Sequence, residues 1–294
     1  MAVRRSKGET IFLAVNYLVM ALLCLSMLFP FWSLLAKSFA AASVPSTQLY
    51  FWPSQTTLAN YARVFANKNI WIGFGNTIFR TVVGTILSLV MSIHVAYPLS
   101  KKYLPNRTFW TSLIVFTMFF SGGMIPEYIL VRSLKLYNSR WALIFPILLN
   151  TFNMIIIRNY FMSIPDSLEE SAKIDGANDL LILYRIIIPL SFPIIATVVL
   201  WTAVSHWNAW FDSLIYISDG NKQVLQTILR RIVLEGSLQL MELQGGAMAM
   251  EASNVSSEAI KAATVIVATT PILVAYPFLQ KYFVKGVLVG SLKG

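Results

Sequence analysis

Apolar residues run along this chain in long blocks, and most of its polar residues fall in the gaps between them. Six windows stand out, at 10–36, 70–99, 108–126, 141–157, 186–211 and 262–280, the second interrupted by Arg80 and His94. A helix rises 1.5 Å per residue, so roughly 20 apolar residues cross a hydrocarbon layer of about 30 Å. Lipid offers no hydrogen bonds, and each segment must satisfy its own N–H and C=O groups. The windows are therefore predicted to be helices and not strands. The expected fold class is all-α integral membrane, a bundle of six transmembrane helices over 10–280 flanked by 1–9 and 281–294. An even number of crossings puts both termini on one side.

Composition narrows the function classes. Of 294 residues, 56% are hydrophobic and 12% charged, with a mean hydropathy of +0.65, which argues against an ordinary water-soluble enzyme. The formal charge is +10, yet charges this sparse cannot build the dense basic surface of a nucleic-acid binder. They are expected at membrane edges. The single cysteine, Cys24, lies in an apolar run and offers neither a disulfide framework nor a metal site. Arg4, Arg5 and Lys7 ahead of an apolar run also suit a secretory signal. That run is about twice the usual signal core of 7–15 residues, so a retained first helix is expected.

Basic residues near membrane ends prefer the cytoplasm. They are densest in the short flanks 1–9, 100–107 and 281–294, joined by Arg158, Lys173 and Arg185, while most on the other side fall in two long connections, 37–69 and 212–261. Long loops translocate largely regardless of charge, so both termini are expected inside. The first outer connection mixes aromatic and amphipathic residues, among them Phe51, Trp52, Leu58, Tyr61 and Phe65, and is expected to lie along the membrane surface. The last carries a helix-period stretch at 226–240 and a flexible patch at Gly245 and Gly246. It reads either as a cap or as a contact for an external partner.

The connection between the fourth and fifth windows, 158–185, is the most informative. Ser163 with Asp166 fits a capping box, Pro165 suits a first turn, and Gly176 suits the left-handed residue that ends a helix. Asn178 or Asp179 then caps a second helix running to Pro189, where a kink is expected. The product is a helix-turn-helix over 163–189 showing the small residues Ser171 and Ala172. It reads either as a docking face or as a solvated loop. No G-x-x-x-x-G-K-[ST] phosphate loop is present, so energy from ATP would have to arrive through another chain.

At these residues the sequence resembles the EAA loop of ABC-importer permeases: E-A-A, three residues, G, nine residues, I-x-L-P. Here the pattern stands as Glu170-Ser171-Ala172, Gly176 and Ile186-Ile187-Ile188-Pro189 with its spacing intact, Ser171 and Ile188 being its two departures. The resemblance extends through Asn60-Tyr61, Asn76-Thr77, Leu143-Ile144-Phe145-Pro146, Arg158-Asn159-Tyr160-Phe161, Ile174-Asp175-Gly176-Ala177 and Trp207-Asn208 to the end, from Gln280-Lys281-Tyr282-Phe283-Val284 to Lys293-Gly294. These look like the second permease of the maltose type and related oligosaccharide permeases. The resemblance implies a multi-pass subunit of the cell membrane. It would pair with a second, similar permease, two ATPase subunits that hold ATP and Mg, and an extracytoplasmic sugar-binding protein. It also implies a cytoplasmic coupling helix in which Glu170, Ser171, Ala172, Asp175, Gly176 and Ala177 meet an ATPase. The chain itself carries no catalytic or metal-ligating set and no cofactor, and membrane lipid and an oligosaccharide are its expected small-molecule contacts.

Two places are candidates for the sugar path. Arg80 lies inside a membrane window, where a charge is costly; it reads as a contact for cargo, as a snorkelling side chain, or as the partner of a backbone carbonyl. Trp207, Asn208, Trp210 and Asp212, beside His206, combine aromatic faces with amide and carboxylate groups that suit sugar rings, or else form an interfacial belt. Two other classes remain in view. An ion-coupled carrier normally needs ionisable groups near mid-membrane, and the six windows contain no Asp or Glu. An integral-membrane enzyme needs converging acid, base or metal ligands that two isolated histidines do not supply.

Overall fold

A computed structural model describes residues 7–44, 51–235, 256 and 258–274. The chain divides into two compact units, 1–67 with 231–269, and 68–230 with 270–294.

The first unit begins with α1 (Lys7–Ser38), whose apolar membrane-length window is exposed along its whole length, as a lipid-facing helix requires. Glu9 in its first turn and Lys37 in its last complement the helix dipole. Beyond α1 the chain doubles back, Ala40 bridging Thr56, into α2 (Ala59–Ala66). That helix buries Asn60 and Val64 one turn apart. The Asn60 amide donates to the carbonyls of Ser38 and Ala40 at 2.8 and 3.0 Å, so a side chain satisfies the last carbonyl of α1 and one just beyond it. Trp32, Phe51, Trp52, Phe39 and Tyr61 form a chain of tilted ring contacts over this turn.

The second unit is organised around α3 (Lys68–Ser100). One face of α3 is buried and lined by small or polar residues at helical spacing: Gly73, Asn76, Thr77, Arg80, Gly84, Ser88, Ser92 and Ala96. Such stripes let helices approach closely where apolar burial gives little drive. The core lies around the C-terminal half of α3, where Ile93, Ala96, Tyr97 and Leu99 meet Met154, Ile157, Phe161, Ile182, Ile187 and Val198.

Three of the expected single helices are broken. The 108–126 window becomes α4 (Arg107–Phe119) and α5 (Met124–Ser133), bent by 112°. Ser121-Gly122-Gly123 favours helix poorly, and Pro126 suits the opening turn of a new helix. The 141–157 window begins as 3-10 turns Arg140–Leu143 and Phe145–Ile147 and becomes helical only in α6 (Thr151–Phe161), with a 50° bend. Pro146 cannot donate to a continuous ladder, and Asn150 caps α6 by accepting the Asn153 amide at 3.0 Å.

Next come α7 (Asp166–Ile174), α8 (Asp179–Ile182), a π-helical turn Leu183–Ile187 and α9 (Ile188–Leu190). An 82° bend at Ser191, between Pro189 and Pro193, separates these from α10 (Phe192–Asn208). The kink expected at Pro189 thus falls two residues later, where the amide of Ser191 still bonds Ile187 and the second proline starts a fresh helix. The helix expected to reach 211 stops at Asn208, and α11 (Phe211–Tyr216) follows. α10 and α6 make the most extensive packing against α3.

α12 (Leu225–Glu235) covers the start of the predicted 226–240 stretch. Helix α13 spans 258–274. Residues 236–240, Gly245, Gly246, the end of the 262–280 window and the tail 281–294 lie outside the described residues. Among the described residues two helices, α1 and α3, are long and apolar enough to cross a membrane alone, and up to five spans result if each bent pair counts as one.

Candidate functional site

Most of the residues singled out above fall in two constellations, and both attach to α3. The first is the loop around α7. Gly176 has φ +82°, with nothing within 4 Å of where a Cβ would sit, so the position demands glycine for its backbone and not for space. Its amide bonds the Lys173 carbonyl at 3.0 Å, and the Ala177 amide bonds the Ala172 carbonyl at 2.9 Å. This is the paired closure that satisfies the last carbonyls of a helix. Asn178 then accepts the Leu181 amide at 2.8 Å and caps α8.

The predicted capping box does not form. Ser163 belongs to the end of α6 and donates to the Tyr160 carbonyl at 2.7 Å. Pro165 sits just ahead of the first turn of α7 rather than in it, and α7 has no side-chain cap. Asp166, freed from that role, pairs with Lys102 at 3.1 Å.

Glu170, Ser171, Asp175 and Gly176 are exposed, whereas Ala172 and Ala177 turn half-buried against the core. The six candidate coupling residues therefore divide into an outward face and a seat. Ile174 is 86% exposed on the outward face, with Glu170 and Ser171 one turn before it. Its exposure was not legible in the sequence, because a helix this short leaves the facing direction open.

The seat also holds residues that sequence reasoning missed. Glu169 is buried and forms an ion pair with Lys101, itself 7% exposed, immediately beyond α3. The Lys101 ammonium also lies 4.6 Å over the Tyr97 ring. Lys173 pairs with Asp179 at 3.3 Å and sits 4.7 Å over Tyr103. Hydrogen bonding to Asp179 pushes the Lys173 ammonium above its ordinary pKa. Burial, followed by the Asp179 charge, does the same for the Tyr103 phenol. A clue lay in Asp166 and Glu169 three apart, opposite consecutive lysines at 101 and 102.

The second constellation is around Arg80, which is 1% exposed. One guanidinium nitrogen donates to Asp212 at 2.9 Å and to the Ala209 carbonyl at 3.2 Å; the other donates to the second Asp212 oxygen. This bidentate fork ties the middle of α3 to the junction of α10 and α11. Asp212 also accepts the Ser213 amide at 2.9 Å. On the same face of α3, Asn76 donates to the carbonyls of Asn221 and Gln223, both at 2.9 Å, and Thr77 accepts the Leu225 amide at 2.9 Å. His206 is buried with its ring against Gly84, where an added Cβ would lie 2.6 Å from it.

The remaining candidates separate. Trp207 is buried, meeting Phe74 edge-on at 6.3 Å. Trp210 carries the Arg230 guanidinium 3.8 Å over its ring. Asn208 is exposed. A cavity of about 180 Å³ lies alongside, lined by Ser121, Glu127, Pro146, Asp212 and Tyr216 among others. Asp212 is thus both the partner of Arg80 and part of the cavity wall. The break between α4 and α5 supplies the opposite wall.

No family model matches this chain. Among curated proteins it is 44% identical over 279 residues to the polygalacturonan/rhamnogalacturonan transport system permease protein YtcP of Bacillus subtilis (strain 168), covering 94% of this chain and 95% of that one. It is 41% identical over 290 residues to protein LplC of the same organism, covering 98% and 97%. Among solved structures it matches a chain of a bacterial ABC transporter involved in the import of the acidic polysaccharide alginate. That match has a TM-score of 0.89 and 34% identity, and covers 96% of this chain and 100% of that one.

Proposed function

This chain belongs to the permease subunits of ABC sugar importers, and from that premise we propose that it forms half of the translocation path for an acidic oligosaccharide. The observation that carries the reading is full-length similarity to permeases of two uronic-acid polymer systems, combined with an exposed α7 closed by Gly176 where the EAA pattern falls. The second half of the path comes from a similar permease. Two ATPases bind ATP and Mg, and an extracytoplasmic binding protein delivers the sugar. The chain supplies no ATP-hydrolysing chemistry of its own.

In this reading the bundle has six spans in the cell membrane, α13 opening the sixth, with both termini in the cytoplasm. α7 is the cytoplasmic coupling helix. Glu170, Ser171 and Ile174 face the ATPase, Ala172 and Ala177 seat the helix, and Asp175 with Gly176 make its turn. On the sugar path, Arg80 acts through Asp212, which shapes the cavity wall. Trp207, Asn208 and Trp210 belong to the same outward end.

The test is reconstitution of the complete complex in liposomes, with uptake measured for oligogalacturonides, alginate oligosaccharides and maltooligosaccharides. ATP-dependent uptake of one acidic series and exclusion of the neutral one is expected. Uptake without ATPase subunits would overturn the reading as a whole. Preference for the neutral series would overturn its acidic part alone.

A further inference from the structure

Two charge pairs grip α3. Arg80 holds Asp212 near its middle, and Lys101, just past its end, holds Glu169 on α7. They stand about 30 Å apart along the helix at 1.5 Å per residue. The neighbouring Lys102–Asp166 pair is solvated, its side chains 81% and 68% exposed, whereas those of Lys101 and Glu169 are 8% and 10% exposed. Screening weakens the former and hardly reaches the latter, which cannot part without stranding a charge away from water. The Lys101 ammonium is also held from the α3 side by the Tyr97 ring. Arg158 of α6 braces the same end by donating to the Leu99 carbonyl at 2.9 Å. On α7 itself Glu169 points inward while the next residue, Glu170, is exposed. One turn of helix thus grips α3 and offers a carboxylate outward.

We propose that the Lys101–Glu169 pair is a latch that makes α7 and α3 move as one body, with Lys101 the positioning residue through which a displacement of α7 reaches the Arg80–Asp212 pair and the cavity wall. The proposal rests on the reading of α7 as the ATPase-docking helix. Packed helices shift between discrete arrangements instead of deforming, and α3 contacts both α6 and α10. A push on α7 that the latch holds therefore displaces α3. Without the latch α7 tilts alone, and hydrolysis proceeds with the path unmoved.

The experiment reads ATP hydrolysed per oligogalacturonide imported by the reconstituted complex. Lys101→Met and Glu169→Gln should raise that ratio about fivefold or more. Lys101→Arg, the charge-swapped double Lys101→Glu/Glu169→Lys and the exposed control Lys102→Met should stay near wild type. A wild-type ratio in Lys101→Met, or a swap that fails to restore coupling, would overturn the latch while leaving the permease reading intact. A wild-type chain that recruits no ATPase would overturn the reading beneath it. If Lys101→Met does not assemble, spin labels at Ser167 and Val90, both exposed, in an otherwise wild-type Cys24→Ser chain decide the matter. Their separation should stay constant when ATP binds, and a shift would overturn the latch.

Discussion

Arg80 shows how far a single residue can be read. Its cost inside a membrane window marks it from sequence alone, but its partner does not follow from spacing, because Asp212 lies 132 positions away. In the fold Arg80 meets two in-chain groups, a carboxylate and a backbone carbonyl. Breaking a buried pair by removing one member costs about 3–5 kcal/mol. Asp212 keeps 21% of its side chain exposed, which places Arg80→Ala toward the lower end. Thermal unfolding of the purified complex should show the loss. The double Arg80→Met/Asp212→Asn should lose less than Arg80→Ala, because it leaves no unpaired charge. Basal ATP hydrolysis should persist in Arg80→Ala while uptake falls. A single variant as stable and active as wild type would remove the pair from both the fold and the path.

Among the elements, α7 and its turn were legible, since Gly176 and Asn178 are punctuation whose chemistry is local. The capping box was not. Its Ser163 competes for two helix ends, and the carbonyls of α6 win because that helix must end before Pro165. The broken windows were missed for a related reason. Hydropathy registers apolar content and is blind to whether Ser121-Gly122-Gly123 or Ser191 interrupts the ladder. Gly176→Val tests the element most directly. A left-handed backbone costs a side-chain-bearing residue about 1–2 kcal/mol, and nothing lies within 4 Å of where its Cβ would sit. The penalty should therefore fall on the turn and not on the bundle. Uptake should drop relative to ATP hydrolysis while the chain still inserts and assembles; normal coupling would refute the role of the turn. The Lys173 ammonium, which pairs with Asp179, keeps its charge through neutral pH. A Lys173 pKa raised in the fold contributes its full stabilisation below the unfolded value and loses it only as pH climbs through the folded one.

For the whole molecule, the all-helical class and the apolar α1 and α3 followed from the sequence pattern. The packing that makes α3 the central element of its unit did not, because small residues such as Gly84 and Ser88 reveal their faces only once partners are in place. Membrane orientation is open to a direct check. In a Cys24→Ser background, a cysteine at Ser171 should react with an impermeant maleimide only in inside-out vesicles, and one at Trp52 only in right-side-out vesicles. The opposite pattern would invert the topology. Ile174, uncovered at the tip of α7, has a consequence for biosynthesis. On the proposed docking of α7, a subunit made in excess of its companions leaves this oily tip in water, and the surplus is expected to be degraded faster than assembled chain.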